Sequence, residues 1–122
     1  MPYGTILVMS VRGIGIDMVA IKRFSDAALG ASRKAFLAKT FTAAEVAYCS
    51  AFADRERRLA GTFAAKEAAA KAYDGKYHLT SFEVRRARSG KPEIWKGARK
   101  LASLKVSITH DGDYALAMCV RT

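Results

Sequence analysis

Leu59-Ala60-Gly61-Thr62-Phe63-Ala64-Ala65-Lys66-Glu67-Ala68-Ala69-Ala70-Lys71-Ala72-Tyr73 is the stretch on which the fold of this chain turns. Its seven alanines, with Leu59, Lys66, Glu67 and Lys71, are all good helix formers and predict a helix over 59–73. Gly61 weakens the start by about 1 kcal/mol relative to alanine, so close packing is the expected reason for it. Phe63, Ala70 and Tyr73 fall near one face, and Glu67 and Lys71 stand four apart on another. A helix this rich in alanine can lie very close to a sheet and bring an acid and two lysines to it. On the residues alone, Glu67 and Lys71 read as an exposed ion pair worth about 0.3–0.5 kcal/mol.

Upstream, residues 6–21 are rich in β-branched side chains. Val11, Ile14, Ile16 and Val19 suit a strand buried on both faces. Gly13-Ile14-Gly15-Ile16-Asp17 begins like a dinucleotide fingerprint, but Met18 occupies the third glycine position and no helix opens there, which excludes that reading. The glycines instead allow a bulge or the close approach of another segment. Asp17 ends an apolar strand, where burial without a partner costs several kcal/mol. A surface carboxylate and a metal or phosphate role both stand open for it.

Residues 22–39 read as a helix broken near Gly30 and capped by Ser25 and Asp26. Phe24, Leu29, Phe36 and Leu37 supply its apolar contacts. Its basic residues, Lys22, Arg23, Arg33, Lys34 and Lys39, form a solvated face or a docking surface. Phe41-Thr42-Ala43-Ala44-Glu45 is a capping box with Phe41 as staple toward Val46, a sufficient structural reason for Glu45. That helix is expected to run to Phe52. Asp54-Arg55-Glu56-Arg57-Arg58 follows as a charged connector.

Downstream of the central helix, Asp74-Gly75 marks a turn. Residues 79–88 alternate as a strand, with Phe82 and Val84 opposite Glu83 and Arg85. Ser89-Gly90 turns the chain, Lys91-Pro92 opens a strand over 93–95, and a short helix is expected over 98–104. Lys105–His110 and Asp113–Met118 form a hairpin around Asp111-Gly112, pairing His110 with Asp113 and placing His110 on the side of Val106 and Ile108. On the residues alone, His110 is an exposed turn histidine. The class is α+β: a small mixed or antiparallel sheet packed against a long central helix.

With 122 residues the chain makes one domain, 1–122. A hydrophobic content of 51% with 26% charged residues excludes a disordered chain. A net charge of +10 calls for an acidic partner: nucleic acid, anionic membrane, phosphorylated small molecules or an acidic protein. Cys49 and Cys119 match no metal spacing and read as reduced thiols. The N-terminal apolar run, interrupted by Arg12 and Asp17, fits neither a signal peptide nor a membrane span, so the cytoplasm is the expected location.

Several of these segments together resemble the small single-domain class of the 4′-phosphopantetheinyl transferase superfamily, the holo-acyl-carrier-protein synthases. The resemblance is carried by Gly13-Ile14-Gly15-Ile16-Asp17, Arg23, Phe41-Thr42-Ala43-Ala44-Glu45, Phe63-Ala64-Ala65-Lys66-Glu67-Ala68 with Lys71-Ala72, Gly90-Lys91-Pro92, and Val106-Ser107-Ile108-Thr109-His110, in the family's order from about Val11 to Val120. Met9 would be a natural family start, so residues 1–8 look like an extension.

The resemblance implies Mg²⁺-dependent transfer of 4′-phosphopantetheine from coenzyme A to a serine of apo acyl carrier protein, with release of adenosine 3′,5′-bisphosphate. It implies Asp17 and Glu67 as metal carboxylates and Lys71 as a phosphate contact, these three forming the catalytic set. Lys66 adds positive charge at the cofactor. His110 contacts coenzyme A phosphates, and Gly90, Lys91 and Pro92 line the nucleotide end. Glu67, directly or through a metal-bound water, is the first choice of general base. Arg23 matches a residue that contacts the acidic carrier protein. The resemblance also implies a homotrimer with three sites, His110 and Gly90-Lys91-Pro92 coming from the subunit next to Asp17, Glu67 and Lys71. No nucleic acid or membrane partner is expected. The chain departs from the family at Thr62, where many members carry an arginine for phosphate binding; Arg58, Lys91 or Arg88 could replace it. The competing classes are a small basic nucleic-acid-binding domain, supported by net charge alone, and a non-catalytic carrier-docking module.

Overall fold

The computed structural model describes residues 10–73 and 77–122. The extension 1–8, Met9, the first part of the expected strand over 6–21 and the Asp74-Gly75 turn lie outside the described residues. The elements in order are β1 (Gly13–Ala20), α1 (Asp26–Leu29), α2 (Arg33–Thr40), α3 (Ala43–Ser50), α4 (Arg55–Ala72), β2 (Glu83–Arg86), β3 (Pro92–Lys96), β4 (Arg99–Lys100), β5 (Leu104–Asp111) and β6 (Tyr114–Arg121). Two antiparallel sheets result, ordered β1-β6-β5 and β2-β3-β4. The α+β class holds, with no parallel pairing among the described strands.

The central helix is present and longer than expected. It begins at Arg55, so most of the charged connector is its first turn. It packs across all three strands of the first sheet. Ala60, Ala64, Ala65, Ala68, Ala69 and Ala72 are fully buried against them and against α3. Alanine side chains allow that approach, and the glycines of β1 complete it. A Cβ on Gly15 would stand 1.8 Å from the Ala68 carbonyl oxygen, and one on Gly13 would stand 2.1 Å from that of Ala72. Strand β1 therefore rests on the helix backbone itself, the close approach that its glycines allowed.

Four readings of the sequence change. The opening strand is not buried on both faces: Val19 is buried, but Ile14 is 64%, Ile16 54% and Met18 63% exposed. The apolar residues occupy the face away from α4, and within one chain nothing covers that face among the described residues. Residues 98–104 form no helix; Gly97-Ala98 turns β3 into the short β4, pairing Trp95 with Lys100. Seven residues are too few to hold a helix without a buried face. The final hairpin is present, but Asp111 pairs with Tyr114 and His110 with Ala115. The turn is thus Gly112-Asp113, with φ of +57° at Gly112, and the pairing of His110 with Asp113 does not occur. Finally, α3 ends at Ser50 rather than at Phe52.

The break near Gly30 is observed, with φ of +53° there and Ser25 capping α1 through its side chain. The capping box of Thr42 and Glu45 is complete. Cys49 and Cys119 are free and buried. Among the described residues, no helix is long and apolar enough to cross a membrane.

Candidate active site

Because β1 lies on the helix backbone, its odd-numbered positions point at α4. Asp17 follows Gly13 and Gly15 in that row and reaches the C-terminal half of the helix. Lys71 Nζ lies 3.6 Å from Asp17 Oδ1 and donates a 2.8 Å hydrogen bond to the Ile16 carbonyl. The expected Glu67–Lys71 pair does not form; Lys71 leans to the strand instead. Asp17 Oδ2 is buried and accepts no hydrogen bond.

Both carboxyls here titrate above their ordinary range. Burial is the main cause for Asp17, opposed by Lys71 and Arg23. For Glu67 the causes are burial and then the Asp17 charge, again opposed by Lys71 and Arg23. Two half-buried acids that repel each other, one with an unpartnered oxygen, form a site short of positive charge. Magnesium is commonly held by one or two carboxylates, with substrate phosphates and waters completing its shell. Asp17 and Glu67 fit that donor set. Among the described residues no group of three or more His, Cys, Asp or Glu could form a dedicated protein cage. Arg23 sits at the same end, its guanidinium 5.6 Å from the Phe63 ring centroid. A cavity of 740 Å³ beside Glu67 and Lys71 is lined by Phe36, Ala70, Leu79 and Thr80.

A second, basic cluster lies at the other end of α4. His110 Nε2 is 3.1 Å from the Arg57 carbonyl, and its ring packs on Gly61. A Cβ there would come within 2.8 Å of Nε2, which explains the glycine. Burial lowers the His110 pKa, opposed by the hydrogen bond to the Arg57 backbone and by the Asp54 charge. Gly61 and Lys71 are ten residues apart, about 15 Å of helix, so one chain does not bring His110 to Asp17. Lys91 and Pro92 line a third cavity, of 240 Å³, with Lys100 and Lys105, and Gly90 turns the chain into it with φ of +89°.

Lys66 is the clear correction among the expected site residues. Its side chain is turned into the core. Its ammonium is fully buried, 2.5 Å from Glu45 Oε1 and 2.9 Å from the Phe82 carbonyl. Glu45 accepts in addition from the Thr42 and Val84 amides. The capping acid thus clamps α3, α4 and β2 together, a role that local sequence could not signal because its partners lie 21 and 39 residues away. Thr62 is buried as well, donating to the Arg58 carbonyl and touching Cys49 Sγ.

Comparison with known proteins identifies the family. The model of the 4′-phosphopantetheinyl transferase superfamily matches residues 13–119. The holo-[acyl-carrier-protein] synthase of Chlorobaculum parvum is 42% identical over 112 residues, covering 88% of this chain and 95% of the relative. That of Bacillus subtilis is 35% identical over 116 residues, covering 90% and 94%. Among solved structures, the Neisseria meningitidis synthase superposes with a TM-score of 0.77 at 26% identity, covering 93% and 99% of the two chains. The Helicobacter pylori synthase in complex with coenzyme A superposes with a TM-score of 0.75 at 26% identity, covering 89% and 99%.

Proposed function

The chain belongs to the 4′-phosphopantetheinyl transferase superfamily, and from that premise we propose that it moves 4′-phosphopantetheine from coenzyme A to a serine of apo acyl carrier protein, leaving adenosine 3′,5′-bisphosphate. The observation that carries this reading is the pair of repelling carboxyls, Asp17 and Glu67, set beside Lys71 with one Asp17 oxygen unpartnered.

In the reaction the serine oxygen bonds to the β-phosphorus of the pyrophosphate, and the bond from that phosphorus to the bridging oxygen breaks. The electron pair leaves with the nucleotide. Such transfers depend on positioning and charge neutralisation more than on covalent catalysis. Asp17 and Glu67 would hold Mg²⁺, which would supply charge neutralisation at the pyrophosphate. Lys71 faces the phosphates from the same helix turn. Glu67 receives the serine proton, directly or through a water. Arg23 and the net charge of +10 steer an acidic carrier to this end of the molecule.

His110 and the Gly90-Lys91-Pro92 segment serve the nucleotide. They act on a site of a neighbouring copy, because Gly61, against which His110 packs, and Lys71 are about 15 Å apart along α4, whereas the phosphate groups of one coenzyme A are a ribose apart. The exposed Ile14, Ile16 and Met18 of β1, with Met118 of β6, supply the apolar contact between copies in a homotrimer with three sites. The two free thiols accord with the reducing cytoplasm.

Intact-mass measurement tests the reading. With coenzyme A and Mg²⁺, an apo carrier protein gains the mass of one phosphopantetheine, and chelation of the metal abolishes the gain. No gain on any of several apo carriers with Mg²⁺ present would overturn it.

A further inference from the structure

Lys71 stands four residues beyond Glu67, the spacing at which a glutamate and a lysine ordinarily pair on a helix. It does not take that partner. Its ammonium reaches across to β1, where it donates to the Ile16 carbonyl at 2.8 Å and lies 3.6 Å from Asp17 Oδ1. Both anchors are on the strand, so the lysine ties the last turns of α4 to β1. The tie is loose, because the carboxylate contact is longer than a hydrogen bond. The lysine side chain is 53% exposed and that of Asp17 only 19%. Strand β1 is seated on the helix backbone at Gly15, so Asp17 is fixed and Lys71 is the partner free to move. A change of rotamer releases a half-exposed ammonium with little loss of pairing.

One carboxylate therefore has two claims on it. Asp17 is a ligand of the divalent ion in the proposed reaction, and the Lys71 ammonium already lies against the same side chain. A divalent ion and an ammonium about 5 Å apart repel by roughly tenfold in affinity even at the dielectric of water. The diphosphate of the substrate resolves the conflict. Its oxyanions give an ammonium charge-assisted hydrogen bonds, which a neutral carbonyl and a loose carboxylate contact do not match. Position matters here as much as charge. Lys39 lines the same cavity as Glu67 and Lys71, yet the ion pair of Asp17 among the described residues is with Lys71.

We propose that Lys71 competes with the divalent cation for Asp17 and is drawn off that carboxylate by the diphosphate of coenzyme A, so that metal and coenzyme A bind with positive coupling through this one side chain. The inference rests on the transferase reading, and its first test needs no turnover. Mn²⁺ serves as the probe, its free concentration followed by paramagnetic resonance. In the absence of coenzyme A, Lys71→Met binds Mn²⁺ roughly tenfold more tightly than the unmodified protein. Lys39→Met, which removes the same charge from the same cavity, tightens it by less than about threefold. Coenzyme A then strengthens Mn²⁺ binding to the unmodified protein by a larger factor than it does in Lys71→Met. Mn²⁺ binding to Lys71→Met that is no tighter than to the unmodified protein would overturn the proposal, as would no binding to either. Equal tightening in Lys39→Met and Lys71→Met would overturn it too, since net charge and not the contact with Asp17 would then be the cause. If no carrier is modified under any condition the transferase reading fails, and the titration without coenzyme A still decides whether Lys71 competes for Asp17. If carriers are modified while Lys71→Met leaves Mn²⁺ binding unchanged, the transferase reading stands and this inference falls.

Discussion

Lys66 and Glu67 are neighbours in the chain and opposites in the fold. On the back of α4, Lys66 and Glu45 form a sealed pair, both enclosed, with further donors on the carboxylate and a carbonyl on the ammonium. On the front, Asp17 and Lys71 approach only to 3.6 Å, with the lysine about half exposed, and Glu67 faces the repelling Asp17 charge. The satisfied network joins three elements and leaves nothing for a ligand. The unsatisfied one leaves a demand for positive charge that a divalent cation can meet. Here the incompleteness of polar partnership, more than the presence of charge, distinguishes the face proposed as the site.

The sharpest way to break this contrast is Glu67→Gln. Turnover should fall by at least roughly 10²–10⁴-fold while thermal stability is retained; normal turnover measured by carrier mass shift would remove Glu67 from the reaction. Lys66→Met should do the converse. It leaves the buried Glu45 charge without its partner, at a cost of about 3–5 kcal/mol in denaturant unfolding. Glu45→Gln combined with Lys66→Met should recover much of that loss, whereas Lys71→Gln, which removes an exposed pair, should cost less than about 1 kcal/mol.

Asp17→Asn should have the smallest and most diagnostic effect on stability. The folded state raises the Asp17 pKa above its ordinary 3.8, so the folded protein binds that proton more tightly than the unfolded chain. The carboxyl therefore destabilises the metal-free fold as pH rises through that shifted range and above it, and is neutral below the unfolded pKa. Metal-free Asp17→Asn should melt above the unmodified protein at pH 7, with the gain vanishing as pH falls below the ordinary carboxylate range. Saturating Mg²⁺ should reverse the order, since only the unmodified pair holds the ion well. A lower melting temperature for metal-free Asp17→Asn at pH 7 would contradict the desolvation argument.

Much of the architecture was legible because it is local. Alanine content predicts α4, Thr42 and Glu45 predict the cap of α3, and Asp111-Gly112 predicts a hairpin. The exact turn slipped by one residue, because the Asp-Gly signal marks a bend without fixing which pair closes it. The helix over 98–104 failed because propensity in seven residues yields to strand pairing with β3. The burial of β1 was misjudged because an apolar run does not say whether its second face meets the same chain or another. At the site, Asp17, Glu67 and Lys71 could be picked out by type, position and resemblance.

What the sequence determined by itself is the set of elements and the chemistry available on them: helix propensity, capping and turn formation act over a few bonds and are written in adjacent residues. What only the tertiary structure decided is which charges face one another. It turned Lys66 inward to Glu45, left Asp17 Oδ2 unpartnered, and gathered Arg57, Arg58, Arg86 and His110 from one helix and two strands. Desolvation and charge pairing depend on distances between segments far apart in the chain, and those distances exist only once β1 has settled onto the alanine face of α4.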